Sequence, residues 1–289
     1  MPYKSVAHRL RSELSSVVTG LSELIKALPI RRFDRSSGGV AFVVPEFYFG
    51  ERTAEQRATQ LALKRKYEIL MEILKTILGG ATHDLLSRLE DADKRFRDWL
   101  ELDGSWSVTQ NPTENARTAQ VAAQPLEQIL DVLDLASKEQ LILVPDTNSL
   151  LSTADPIDYR KVVNQDSFVF MLLPTVLGEL DRLKVEHRND AVREKAKKII
   201  TRIKGWRNQG SLAAGVVIDK SIVVKASHSE PNMDKTLSWL DSNNQDDRII
   251  ASVLALEGDY SSSQVILISG DINLLNKADA ALIDTAEVP

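Results

Sequence analysis

The feature that most constrains this chain is a change of rhythm near residue 139. Beyond it, short apolar runs at residues 141–144, 168–173, 222–224 and 265–268 alternate with stretches whose apolar residues recur every three or four positions. Brief uninterrupted apolar runs suit strands covered on both faces. Strands that alternate with helices pair in parallel, because each parallel pair needs a crossover connection. The second half is therefore expected to be an α/β domain, a parallel sheet with flanking helices.

Before residue 139 the pattern is helical. Leu10, Leu14, Val17, Leu21, Leu24, Ile25 and Leu28 follow a three-and-four spacing until Pro29 ends the series. Further helices are expected over 54–78 and 83–102, with Gly79 and Gly80 as the stop between them. Residues 36–39 read as a glycine-serine turn and 40–44 as a β-like run, followed by the aromatic cluster Phe47, Tyr48 and Phe49. Such an insert suits a hairpin or a docking loop. The stretch 103–115 reads as a linker, and Pro125, lacking an amide hydrogen, is expected to open a new helix. A mainly α-helical N-terminal domain, 1–138, then precedes the α/β domain, 139–289.

Composition narrows the chemistry. With no cysteine, thiolate nucleophiles, disulfides and zinc-thiolate sites are excluded, and a reducing cytoplasmic setting is the expected one. The four histidines, His8, His83, His187 and His228, show no helical metal-site spacing. Lys4, Arg9, Arg11 and Glu13 stand near the start with no sustained apolar block behind them, so neither a secretory signal nor a membrane anchor is expected.

Carboxylates carry the remaining signal. The first apolar run ends in Pro-Asp146-Thr-Asn, which puts Asp146 at the carboxyl end of a strand, where open α/β sheets build ligand sites. The last run ends in Ser269-Gly-Asp271 and repeats the theme. Glu179 lies on a helix opened by Pro174, bordering the stripe of Val176 and Leu183. Asp246 and Asp247 begin another helix, and the angles of Ile249, Ile250 and Val253 average close to that of Asp246, which favours Asp246 over Asp247 as the inward carboxylate. Each has an ordinary structural alternative: helix capping for Asp146, a salt bridge for Glu179, dipole stabilisation for the pair. Four converging carboxylates repel one another, and a divalent cation is the simplest relief.

In this order the motifs Asp146-Thr-Asn, Pro-Thr-Val-Leu-Gly-Glu179-Leu, Asn-Gln-Asp246-Asp-Arg-Ile-Ile and Ser-Gly-Asp271 resemble the PIN-domain family of metal-dependent nucleases. The resemblance spans residues 141–283 and does not extend to the N-terminal half. It implies that Asp146, Glu179, Asp246 and Asp271 are catalytic carboxylates, with Asp247 also a candidate metal ligand and Asn148 and Ser269 as supporting polar groups. It further implies Mg²⁺ or Mn²⁺ as cofactor, and water attack on RNA that leaves a 5′-phosphate and a 3′-hydroxyl.

A polyanion substrate requires positive charge, and the net charge of the chain is -5. The segment 182–207 answers this with ten basic residues against three acidic ones. Arg182, Lys184, Arg193, Lys197, Lys198 and Arg202 are its candidate RNA contacts, projecting away from a stripe of Val192, Ala196, Ile199, Ile203 and Trp206. The leading expectation is thus a metal-dependent endoribonuclease. A second is a catalytically weak PIN fold acting as an RNA-binding or scaffold module, with a protein partner or self-association through the N-terminal helices. A structure-selective DNA nuclease lacks the long basic clamps it would need, and a phosphoacceptor receiver lacks its lysine where Ser269-Gly-Asp271 stands.

Overall fold

The apolar runs of the second half form the interior of one sheet. In a computed structural model that describes residues 5–33, 46–102, 108–135 and 140–288, the strands are β3 (Leu141–Pro145), β4 (Phe168–Leu172), β5 (Val216–Asp219), β6 (Ile222–Ala226), β7 (Gln264–Ile268) and β8 (Asp284–Ala286). Their order across the sheet is β5-β6-β4-β3-β7-β8. All neighbours are parallel except β5 and β6, so the sheet is mixed, with one antiparallel edge strand. All five residues of β4 and of β7 are buried, and all but the first of β3, as central strands covered on both faces should be.

The helices of this half are α5 (Thr147–Ser152), α6 (Tyr159–Val163), α7 (Pro174–Glu186), α8 (Asp190–Gln209), α9 (Gln245–Asp259) and α10 (Ile272–Ala280). Helix α8 buries Ala196, Ile199, Ile200, Ile203 and Trp206, nearly the stripe read from its spacing, and packs against α7 and α5. Pro174 opens α7, a position where its missing amide hydrogen costs nothing.

The N-terminal region is predominantly helical: α1 (Val6–Lys26), α2 (Ala54–Ile77), α3 (His83–Glu101) and α4 (Pro112–Leu135), with a two-stranded ribbon of β1 (Ile30–Arg32) and β2 (Phe47–Phe49). Thr53 and Gln56 form a reciprocal capping box at the start of α2, each side chain accepting the other's amide. Inside this region the ring of Tyr67 lies 5.0 Å from that of Phe96, and its hydroxyl donates to Asp93 at 3.0 Å. By their contacts Ala7–Leu74 and Gly80–Leu133 make one compact unit, and the residues from Asp134 onward belong to another.

Two expectations are corrected. Helix α4 already starts at Pro112, inside the stretch read as linker, because Asn111 caps it by accepting the amide of Thr113 at 2.9 Å. Pro125 does not open a new helix but sits within α4. The carbonyl it leaves without an amide belongs to Val121, an exposed position where water can take over. The buried face of Ala116, Ala119, Ala123, Leu126, Ile129 and Leu130 holds the helix through the break. The expected turn at 36–39, the run at 40–44 and residues 103–107 of the linker lie outside the described residues. Among the described residues no helix is long and apolar enough to cross a membrane.

Candidate functional site

β3 and β7 are neighbours, and the chain leaving them runs to opposite flanks, to β4 from the first and to β8 from the second. At such a switch point a crevice opens outside the carboxyl ends of the strands. The carboxylates that follow the two strands, Asp146 and Asp271, lie there.

Asp146 caps α5 from an extended backbone (φ -76°, ψ 175°). Its Oδ1 accepts the amide of Ser149 at 2.6 Å and its Oδ2 accepts the hydroxyl of Ser269 at 2.6 Å. The same Ser269 oxygen accepts the amide of Asp271 at 3.0 Å. One wholly buried hydroxyl therefore ties the carboxylate of Asp146 to the backbone of Asp271. Asp271 in turn caps α10, accepting the amides of Asn273 and Leu274 at 2.7 and 3.3 Å. Ser149 adds a further stitch by donating its hydroxyl to the carbonyl of Ile268 at 3.0 Å.

Glu179 is joined to this edge through the chain neighbours of the other acids. The hydroxyl of Thr147 and the side-chain amide of Gln245 both donate to its Oε2, and the guanidinium of Arg182 lies 3.9 Å from its Oε1. Thr147, Ser149 and Gln245 were not singled out from the sequence, although their adjacency to Asp146 and Asp246 was the available signal. Asn148, expected as a support, is exposed and makes none of these bonds.

The start of α9 departs from the angular argument. Asp247, not Asp246, is the buried member, 5% exposed, whereas the side chain of Asp246 is 35% exposed. The reason is that α9 is buried without a gap from Ile249 to Leu254, so no single stripe exists against which an angle could discriminate. Asp247 accepts the amide of Asp241 at 2.9 Å and pairs with the ammonium of Lys277 at 2.7 Å. Lys277 also lies 3.8 Å from Asp246.

Charge nonetheless couples Asp246 to the strand-end acids. Burial pushes its carboxyl above the ordinary range; Lys277 pulls it down, and Asp271, Asp247 and Asp146 push it further up. Asp246 thus lies within the field of the strand-end acids, while Asp247 is held by Lys277 and the preceding loop. The donors are hard oxygens of the type that divalent Mg²⁺ or Mn²⁺ prefers. As arranged, however, they do not fit one. Among the described residues no three acidic or imidazole groups come together closely enough to hold a metal ion. Asp146 has both oxygens engaged, Glu179 receives two donors on one oxygen, and Lys277 already supplies a positive charge.

The basic segment is largely paired at the surface: Lys184 with Asp181, Arg193 with Asp190, Lys197 with Glu194 and Arg202 with Asp155. Surface pairs of this kind are worth no more than about 1 kcal/mol, so a phosphate can displace them. Lys198 is exposed on the same helix.

A family model described as PIN domain matches residues 143–288, just over half of the chain. The match covers every acidic residue of the edge and all of α8, and the family supports a nuclease or RNA-binding role. No curated protein matches the chain.

Proposed function

The chain belongs to the PIN-domain family, and from that premise we propose that residues 139–289 form an RNA-binding domain whose acidic edge is catalytically weak in the arrangement described, preceded by a helical domain, 1–138, that serves a protein partner or self-association. The observation that carries this reading is Lys277. Its ammonium stands against Asp247 and near Asp246, so the repulsion that would call in a divalent ion is already partly answered from within the chain. RNA affinity is assigned to Arg182, Lys184, Arg193, Lys197, Lys198 and Arg202, whose surface pairs yield to phosphate at small cost.

A second reading, a Mg²⁺- or Mn²⁺-dependent endoribonuclease leaving 5′-phosphate and 3′-hydroxyl ends, is favoured by one specific observation. Burial first, and then the charges of Asp271, Asp247 and Asp146, push the carboxyl of Asp246 above the ordinary range although Lys277 pulls it down, so negative charge from both strand ends gathers at this carboxylate. Under this reading Asp146, Glu179, Asp246 and Asp271 are the catalytic acids, and Lys277 must give up its place.

One experiment separates the two. A labelled single-stranded RNA is titrated with the full chain in Ca²⁺ to measure binding, and is then incubated in Mn²⁺ with the wild type and with Asp146→Asn, followed by end-group analysis. Binding without cleavage supports the first reading. Cleavage that leaves 5′-phosphates and vanishes in Asp146→Asn supports the second, and absence of both binding and cleavage removes both.

A further inference from the structure

We propose that Trp239 is a stacking platform for one unpaired base of a single-stranded RNA, set at the rim of the acidic edge with Arg182 as the cation for a neighbouring phosphate. The proposal rests on the RNA-binding reading and adds to it the residue that holds an unpaired base.

Trp239 stands apart from the described tryptophans. Trp99 and Trp206 are 5% and 9% exposed, whereas Trp239 is 44% exposed. A lone exposed apolar ring is ordinary on a protein surface, so exposure alone decides nothing. Position and anchoring do. Leu237, two residues before it, is 2% exposed and plugs the segment into the domain. The amide of Leu240 donates to the carbonyl of Leu237 at 3.1 Å, closing a backbone turn that includes Trp239. The amide of Asp241 then donates to Asp247 at 2.9 Å, and that of Asn244 to the carbonyl of Asp241 at 3.0 Å. The ring is thus carried on a short segment fixed at both ends, and its second fixing point is a carboxylate of the acidic edge. Two residues span at most about 7 Å, so the Trp239 backbone lies within that distance of Asp241.

Arg182 meets the same helix start. Its guanidinium is 3.5 Å from the side-chain oxygen of Gln245, and its side chain is 59% exposed. An aromatic side chain and a guanidinium are therefore both tied to the first turn of α9, the turn that carries Asp246 and Asp247. A duplex hides its base faces, whereas a single strand can turn a base onto a ring and present the adjoining phosphate to a cation.

The test uses the full chain and fluorescein-labelled octa-adenylate in Ca²⁺, with binding read by anisotropy. The companion probes are the same oligomer carrying abasic positions and an RNA duplex. Trp239→Ala is expected to weaken octa-adenylate binding about 5- to 150-fold, the range for loss of one stacked base. Trp239→Phe should retain most of the affinity, and neither variant should change the weaker binding of the abasic oligomer or the duplex. Octa-adenylate should also quench wild-type tryptophan emission more than that of Trp239→Phe, a signature that a purely structural role would not give. If wild type binds octa-adenylate and Trp239→Ala binds it equally well, or if equal quenching persists in Trp239→Phe, the platform is refuted while RNA binding stands. If wild type binds no RNA, the reading beneath it fails as well.

Discussion

Replacing Lys277 by glutamine keeps a polar side chain, one atom shorter, while removing the charge that faces Asp246 and Asp247. The pair with Asp247 is 2.7 Å long, with the side chains 26% and 7% exposed. Removing one partner of a buried ion pair costs about 3–5 kcal/mol, and the partial exposure of Lys277 brings the expectation down to about 2–3 kcal/mol. For a unit of this size each kcal/mol moves the melting temperature by about 2–4 °C, so a loss of about 4–12 °C is expected. The assay is thermal unfolding followed by circular dichroism, for the wild type, Lys277→Gln, Asp247→Asn and the double variant. The double variant should recover part of the loss, because the uncompensated carboxylate is then gone.

A second arm of the same assay adds Mn²⁺. If the ammonium occupies the place of a cation, the ion should stabilise Lys277→Gln more than the wild type. At ten times its dissociation constant the gain is about 1.4 kcal/mol. Equal melting of the wild type and Lys277→Gln, with equal responses to Mn²⁺, would refute the reasoning, and with it the observation on which the weakly catalytic reading rests.

Asp246 and Asp247 should respond with opposite signs. Because the folded carboxyl of Asp246 is raised, its contribution to stability is complete below the unfolded pKa, about 3.9, and is lost as pH rises through the folded value. Asp246→Asn should therefore raise the melting temperature at pH 7 by a degree or a few, discounted for its exposure, and leave it unchanged at pH 3; a loss at pH 7 would contradict the assignment. Asp247→Asn breaks the pair with Lys277 and should lower the melting temperature at pH 7, so equal shifts in the two variants would show that the pair carries no weight. Charge reversal at Lys197, Lys198 and Arg202 should flatten the dependence of log K on log salt by about 0.7 per lost phosphate contact, and an unchanged slope would move the RNA path elsewhere.

The central strands were legible because burial on both faces writes a strand as an unbroken apolar run, as in Val265-Ile-Leu-Ile268. The edge strands were not: β5 carries an exposed Val217, and β8 is the half-buried Asp284-Thr285-Ala286, so neither shows such a run. At the acidic edge, strand ends identified Asp146 and Asp271, since the residue after a buried strand has few places to go. What the sequence withheld is pairing between distant segments. Lys277 stands thirty positions after Asp247 on another helix, and no local pattern marks it as the partner of a buried acid.

The expectation that Asp246 is the inward member of the pair at α9 failed for the same reason. A helical angle locates an inward residue only when a helix has one buried face, and α9 is covered nearly all round. With that constraint gone, the orientation of its first turn is decided by the segment before it and by α10, from which the Asp241 amide and Lys277 respectively claim Asp247. Asp246 is then left more exposed and within the field of Asp146 and Asp271. The less buried carboxylate is consequently the one open to solvent, as a group that is to meet an incoming phosphate has to be, and the more buried one, held by the Asp241 amide and Lys277, fixes the start of the helix.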